Sequence, residues 1–471
     1  MIFSKNPRPE SLKALADASP NPFWLEHSSK PQAAPALEKS IDTELLVVGG
    51  GYTGLWTALL AAEQNPGRDV VLIEGGESAS GASGRNGGFV ASSLTHGFHN
   101  GLQRWPGELN QLIALGHKNL EGIEDTIRRY EIDCDYIRSG EMTVAVEPYQ
   151  VEEMRGVVDE ARAHGEMTEF WDKERVQADV HSPAYLGALF DPNVGMVDPA
   201  RLAWGLRRAC LQRGIRIFEM TKATGLEESR AGITVSTEKG QIRAQKVALA
   251  TNAFPPLLKR LSYYIVPVYD YALMTEPVTP AQRESIGWQA RQGIGDAANQ
   301  FHYYHMSADG RILWGGYDAI YHWNNGFGPQ FETDEGAFGR LAEHFFQVFP
   351  QLDGLRFTHA WGGAIDTCSR FSAFWGSLHG GRTAYSVGFT GLGVGASRFG
   401  ALVMLDLLDG KSTERTALEM VRTKPTPFPP EPLRSIGINL SRWSLDQADQ
   451  NQGRRNLWLK VMDALGLGFD S

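Results

Sequence analysis

The sequence predicts an α/β protein: a parallel sheet with helices on its faces, interleaved with a second domain of α+β character built on a mixed sheet. Three observations carry this. An apolar run, Glu44–Val48, ends in glycines and is followed by a helical stretch and a second apolar run, Asp69–Ile73. Near the other end Thr383–Leu408 repeats the order strand, glycine turn, helix. Between them lie two long insertions in which helical and alternating patterns mix. Strands apolar on both faces belong to parallel sheets covered by helices, whereas alternation marks strands with one solvated face.

Residues 1–40 are rich in proline, serine and charge around an isolated Phe23-Trp24-Leu25 cluster, which predicts an arm that docks on the body through its aromatics. Glu44–Val48 is the first strand, Gly54–Gln64 the helix after it, and Asp69–Ile73 the second strand. Helical periodicity marks Leu109–Tyr130 and Gln150–His164, with the strand Glu141–Val146 between them. A turn at Gly195 feeds a helix reaching Cys210, with Pro199 in the first turn, where its missing N–H is not needed. Ile215–Glu219, Gly225–Glu228, Ile233–Thr237, Gln241–Arg243 and Lys246–Ala250 read as a β-meander that returns to the parallel sheet. Strands and aromatics then alternate from Val266, closed by a helix over Glu335–Phe349. A proline-rich linker, Lys424–Pro432, leads to an amphipathic tail ending Gly466-Leu467-Gly468-Phe469.

Bulk properties exclude several classes. At 471 residues the chain can bury a large core. A net charge of −10 offers no basic footprint for a nucleic-acid backbone. The longest apolar stretches, such as Ala401–Leu408, fall far short of the roughly 20 residues that span a bilayer. Residues 1–40 lack the apolar core of a secretory signal. Cys134, Cys210 and Cys368 are scattered without metal-ligand spacing, which suits a reducing compartment. The expectation is a cytoplasmic protein with no metal, nucleic-acid or membrane partner.

The chemistry starts at Gly49-Gly50-Gly51-Tyr52-Thr53-Gly54, where glycines fall at the G-x-G-x-x-G positions. In a Rossmann-type unit Gly49 permits the tight turn, Gly51 lets backbone approach a pyrophosphate, and Gly54 lets the helix pack on the strand. The helix N-terminus, reached just after Tyr52 and Thr53, then offers N–H groups to the phosphates. Glu74 ends the second strand 74 − 54 = 20 residues after the last glycine, the spacing of a carboxylate that binds a ribose diol. The alternative is a glycine turn without a ligand; strand, helix and Glu74 in order argue against it. NAD and FAD share this fingerprint. The long small-residue loop from Gly75 through Ser83-Gly84-Arg85-Asn86-Gly87-Gly88 exceeds what a ribose pocket needs and suits a backbone running beneath a flavin.

With those residues in view, the chain resembles the D-amino-acid-oxidase-like (glycine/sarcosine oxidase) FAD superfamily, and within it the gamma-glutamylputrescine oxidase-like amine oxidases. Later matches are Ala250-Thr251-Asn252-Ala253, Gly310-Arg311-Ile312-Leu313-Trp314-Gly315-Gly316, Trp361-Gly362-Gly363-Ala364-Ile365-Asp366 and Gly388-Phe389-Thr390-Gly391-Leu392-Gly393-Val394-Gly395. The resemblance implies a Rossmann-type FAD-binding domain over 41–98, 192–264 and 356–411. It implies a substrate domain over 99–191 and 265–355, flanked by the docking arm (1–40) and a linker with helical tail (412–471). It further implies non-covalent FAD, with Ala223 near the adenine, Thr251 and Asn252 against the cofactor, and Gly391-Leu392-Gly393-Val394 presenting N–H groups to the flavin N1–C2 edge. Amides and a helix dipole there would stabilise the negative charge of the reduced ring. Two departures stand out: Leu392 and Gly395 occupy places where the sarcosine-oxidase branch carries a histidine and a carboxylate-binding lysine. That branch's oxygen-activating lysine is likewise replaced near Leu313-Trp314.

The implied activity is oxidation of an amine C–N bond to an imine, hydrolysed to a carbonyl and an amine, with O2 as acceptor giving H2O2. An amino-acid oxidase or dehydrogenase with another acceptor, or a non-catalytic flavoprotein scaffold, are the alternatives. Such chemistry needs orientation in a dry pocket more than acid–base machinery. Candidates for the walls are Tyr269 and Tyr271, His302, Tyr304 and His305, Trp361, Phe371 and Trp375, with Leu392 at the flavin edge; core packing is the competing role for each. Glu141 and Asp366 could attract a substrate cation. Arg85 is expected to hold its loop, or else to meet an acidic group, and Cys368 to be a plain buried cysteine.

Overall fold

A computed structural model describes residues 3–467, so Gly468 and Phe469 of the tail lie outside the described residues. The first sheet has eight strands. Its centre is Ile41–Val48, hydrogen-bonded in parallel to Val70–Ile73 on one side and to Gln241–Leu249 on the other. Arg216–Phe218 extends it in parallel beyond Val70–Ile73, and Thr383–Val387 beyond Gln241–Leu249. The central strands are buried throughout their apolar runs, as a parallel sheet covered on both faces requires. Tyr52–Gln64 covers one face together with Pro199–Gln212 and Gly393–Leu408.

Local boundaries differ from the sequence pattern in instructive ways. The first helix begins at Tyr52, not Gly54, because Gly51 in an extended conformation is its N-cap. The expected pair Gln241–Arg243 and Lys246–Ala250 is one strand, Gln241–Leu249, which pairs antiparallel with Gly232–Thr237 at its start and joins the parallel sheet throughout. Charged Arg243 and Lys246 sit on it without interrupting it.

The second sheet has nine strands in mixed order. Val266–Thr275 lies near one edge, followed by Ile312–Gly316, His302–Met306, Gly293–Asp296, Glu141–Ala145, Gly187–Asp191 and Glu169–Asp172. Phe357–Thr367, which the expected boundaries place with the first domain, pairs with Val266–Thr275 from end to end and so lies in this sheet. One face of the sheet packs on the helix Glu335–Val348 in a core rich in large aromatics. The other face looks toward the loop after Glu74. A two-stranded ribbon, Phe89–Ala91 with Val194–Met196, bridges the two halves.

Candidate active site

At the glycine corner the backbone segments approach to distances that a side chain would forbid. Gly49 has φ +116°, and a Cβ there would stand 2.3 Å from the Ala250 carbonyl oxygen. A Cβ on Gly54 would stand 1.8 Å from the Gly49 oxygen, and one on Gly51 2.8 Å from Ser83 Oγ. Tyr52 donates its backbone N–H to Ser83 Oγ (2.9 Å), while its phenol donates to the Pro199 carbonyl (2.7 Å). Tyr52 therefore serves this corner through its backbone and anchors a neighbouring helix with its ring. Thr53, partly exposed, accepts from the Thr57 hydroxyl.

Glu74 accepts from Gly50 N–H at 2.6 Å and Gly76 N–H at 2.8 Å. Burial, with Glu219 nearby, still holds its carboxyl above the usual range despite those amides. Beside it Ser78 Oγ is buried next to Glu219, 3.0 Å from the place of a Gly50 Cβ. A carboxylate beside a cradle that a Cβ on Gly49, Gly51 or Gly54 would fill fits the ribose and pyrophosphate of a dinucleotide. The backbone at Glu74 and Gly76 accepts from Thr221 and Met220, and Gly75 packs on Lys222, which places Ala223 next to this pocket. Thr251 and Asn252 follow Ala250 against Gly49; Asn252 has φ +48° and accepts the Ala253 N–H on its own side chain.

The loop is pinned from three directions. A Cβ on Gly84 would meet the Ala79 oxygen (2.4 Å) and Leu25 (2.6 Å). Asn86 holds the turn, donating to the Ala82 and Ser83 carbonyls and accepting from Gly88 N–H. Trp24 Nε1 of the arm donates to the Asn86 carbonyl and Trp361 Nε1 to the Arg85 carbonyl. The Arg85 guanidinium donates to the Ser80 and Gly362 carbonyls and pairs with Glu332 at 2.6 Å. These bonds occupy Arg85 with holding the loop. Gly87 rests on Tyr303 and Leu313 of the second sheet, and Gly88, with φ +77°, on the Val197 carbonyl, near His305.

Strand parity then sorts the aromatic candidates, because directly opposed residues share a face. Tyr303, Gly315 and Ala272 form one row and His305, Leu313 and Met274 the next, both on the loop side. Tyr304, Trp314 and Leu273 point the other way. Of the residues expected to line a substrate pocket, Tyr269, Tyr271, His302 and Tyr304 all lie on the far face. Tyr269 and Tyr271 bond the Gly328 and Phe331 carbonyls, Tyr304 bonds Tyr185 (2.7 Å), and His302 lies between Asp296 (2.7 Å) and His344 (2.9 Å). The structure gives these four a packing role behind the sheet, since a period of two does not reveal from sequence which face is covered.

His305 and Trp361 are on the loop side. His305 is almost fully buried, its ring stacked on Trp24 at 6.0 Å, and burial pushes its pKa down to about 4, so it is neutral near pH 7. Two residues that sequence reasoning passed over share this face. Asp270, between the two tyrosines, accepts from the Tyr303 hydroxyl at 2.7 Å and from Tyr271 N–H at 2.8 Å. Burial pushes its carboxyl up to about 6, with the Tyr303 bond pulling the other way. A carboxylate inside an otherwise apolar strand was the available signal, because an acid there needs a polar partner.

At the far end Gly391, with φ +92°, stands exposed with no atom near its Cβ position. Leu392 is the N-cap of Gly393–Leu408, and Gly393 and Val394 fill its first turn. Gly395 brings this helix onto the strand after the loop, since a Cβ there would stand 2.1 Å from the Ala91 oxygen. Asp366 accepts from Gly388 N–H at 2.5 Å, and its own carbonyl accepts from Thr390 N–H. Burial pushes its carboxyl up to about 7. Asp366 thus holds the turn that carries Gly391. Cys368 is buried against the Ser372 and Gly388 carbonyls, and Trp375 is buried in the same core as Trp361. Phe371 adopts φ +56°, its ring near His96. Among the described residues no group of three or more His, Cys, Asp or Glu could hold a metal, and no helix is long and apolar enough to cross a membrane.

Comparison with known proteins agrees with this geometry. The family described as DAO, FAD dependent oxidoreductase, matches residues 44–407. The gamma-glutamylputrescine oxidoreductase of Escherichia coli is 31% identical over 85% of this chain and 94% of its own. The probable oxidoreductase OrdL of Haemophilus influenzae is 26% identical over 84% and 90%. Among solved structures, glycine oxidase from Geobacillus kaustophilus superposes with a TM-score of 0.67 at 19% identity, over 82% of this chain and 98% of that one.

Proposed function

The chain belongs to the DAO family of FAD-dependent oxidoreductases, and from that premise we propose that it oxidises the C–N bond of an amine to an imine. Hydrolysis of the imine gives a carbonyl compound and an amine, and O2 takes the electron pair to give H2O2. FAD, when bound, supplies the acceptor for the hydride. Gly49, Gly51, Gly54, Glu74 and the 83–88 loop would hold it at one end and Gly391–Val394 at the other, with Leu392 at the flavin edge.

The observation that carries the amine reading is Asp270. It is a half-buried residue whose carboxylate is held by Tyr303 on the sheet face that rests on Gly87. A carboxylate in an apolar recess attracts an ammonium and orients it. Trp361 and Phe89 border the same face and exclude water from it. No lysine is supplied by Leu392 or Gly395, so recognition through the carboxylate of a small N-methyl amino acid has no counterpart at those positions. The gamma-glutamylputrescine oxidoreductase relative, named for an amine, supports the same class.

The test is aerobic incubation with amines, amino acids and 2-hydroxy acids, reading carbonyl product and peroxide. Carbonyl and peroxide in step from amines support the proposal. Carbonyl without peroxide, restored by an artificial dye, replaces O2 with another acceptor. Turnover of hydroxy acids alone overturns the amine reading.

A further inference from the structure

We propose that Glu141, with Asp191 opposite it, receives a second positive group of the substrate, so that the molecule oxidised is a di- or polyamine and not a lone amine. The inference rests on the amine reading above and adds a second point of recognition to it.

Glu141 lies on the same sheet face as Tyr303 and Asp270. It pairs with Gly293, whose Cβ position is 2.4 Å from a ring carbon of Phe89, the residue directly after the pinned loop. Phe89 in turn packs edge-to-face on Tyr303 with centroids 6.0 Å apart. Between these rings and Glu141 the floor is Gly295, where a Cβ would find only the His302 carbonyl (3.4 Å) and Glu141 Oε1 (3.7 Å) within reach. The recess therefore has a side-chain-free floor, an aromatic wall and a carboxylate leaning over it.

That carboxylate makes no hydrogen bond or ion pair with any described residue. Its cross-strand partner is another acid: Glu141 and Asp191 are directly opposed in an antiparallel pair, an arrangement in which like charges repel. Asp191 accepts only the Asn193 N–H, at 2.8 Å. The cations nearest this end are committed elsewhere, Arg138 to Glu124 and Asn193 and His117 to Glu166. Burial pushes both carboxyls up, Glu141 to about 7 with the Asp191 charge adding to the shift, and Asp191 to about 6. His117 and Arg138 favour ionised Asp191 through space, but no cation does so for Glu141, and an ammonium set against that buried carboxylate would offset the cost of its desolvation. Glu141 lies in register with Met274, so Asp270 is four strands across the sheet (about 19 Å) and four residues along it (about 13 Å), about 23 Å between backbones. A long, extended molecule with a cation at each end spans the two carboxylates once the reach of both side chains is subtracted; a small monoamine engages only one.

The experiment compares α,ω-diamines with n-alkylamines of matched length, using holoenzyme and anaerobic flavin bleaching. The wild type should prefer the diamines. In Glu141→Gln, kcat/KM for the diamine should fall about tenfold or more, chiefly through KM, and far less for the monoamine. As a check that needs no folded variant, an α,ω-bis(trimethylammonium) alkane should inhibit the wild type better than its mono-ammonium counterpart. Equal effects of Glu141→Gln on both substrates, or equal inhibition by the two quaternary ions, overturns the second cation site while leaving amine oxidation intact. Bleaching by no amine at all overturns the reading beneath both.

Discussion

Tyr303 and Tyr304 are neighbours in sequence with opposite fates, and removing one hydroxyl at a time separates the two faces of the second sheet. Tyr303→Phe deletes the donor 2.7 Å from Asp270. A hydrogen bond to a charged group contributes about 1.5–3 kcal/mol, so kcat/KM for amines should fall about ten- to a hundredfold. The Tyr303 bond also lowers the Asp270 pKa, so its loss should move the limb on which kcat/KM rises with pH to higher pH. Tyr304→Phe deletes the partner of the buried Tyr185 hydroxyl on the far face. That should cost about 1–2 kcal/mol of stability and leave kcat/KM unchanged. Stopped-flow flavin reduction across pH, with thermal unfolding of each variant, reads both. If Tyr304→Phe slows reduction while Tyr303→Phe does not, the assignment of faces is wrong.

Gly54→Ala places a methyl 1.8 Å from the Gly49 oxygen, and the shift of more than about 1 Å needed to relieve it would open the phosphate cradle; the variant should purify depleted of FAD, and full retention would contradict the role given to that corner. Glu141→Gln should change stability with pH in a defined window. The wild-type carboxyl, raised to about 7 in the fold, contributes stability that is lost as pH rises from the ordinary glutamate range through 7. The variant should therefore gain about 1–3 kcal/mol over wild type above pH 7 and nothing from this source at low pH, as followed by denaturant titration at each pH. Trp361→Phe removes the donor to the Arg85 carbonyl and should weaken FAD retention about tenfold, read by equilibrium dialysis, with little change in fold.

The glycine corner was legible because its constraints are local: a turn, a close approach and a packing contact within six residues, then Glu74 at a fixed remove. The repeat of strand, glycine turn and helix at Thr383–Leu408 was legible for the same reason. What sequence could not reveal depends on partners far along the chain. Phe357–Thr367 reads as a strand wherever it pairs, and only its ladder with Val266–Thr275 assigns it to the second sheet. The parity of Tyr269, Tyr271, His302 and Tyr304 depends on which face meets Gly87, a contact more than 180 residues away in sequence. Asp270 was hidden among tyrosines that drew attention to aromatic walls, and Asp366 looked like a cation site until the Gly388 turn claimed it.

An amine would meet FAD between the Gly87–Gly88 loop and the Asp270 face of the second sheet. The most direct measurement of that encounter is an anaerobic titration of the yellow holoenzyme with amines, in wild type and Asp270→Asn. Amines should bleach the wild-type flavin, and Asp270→Asn, still yellow, should need far higher amine for the same bleaching. Unchanged amine dependence in Asp270→Asn, or a wild-type flavin that no amine reduces, would contradict it.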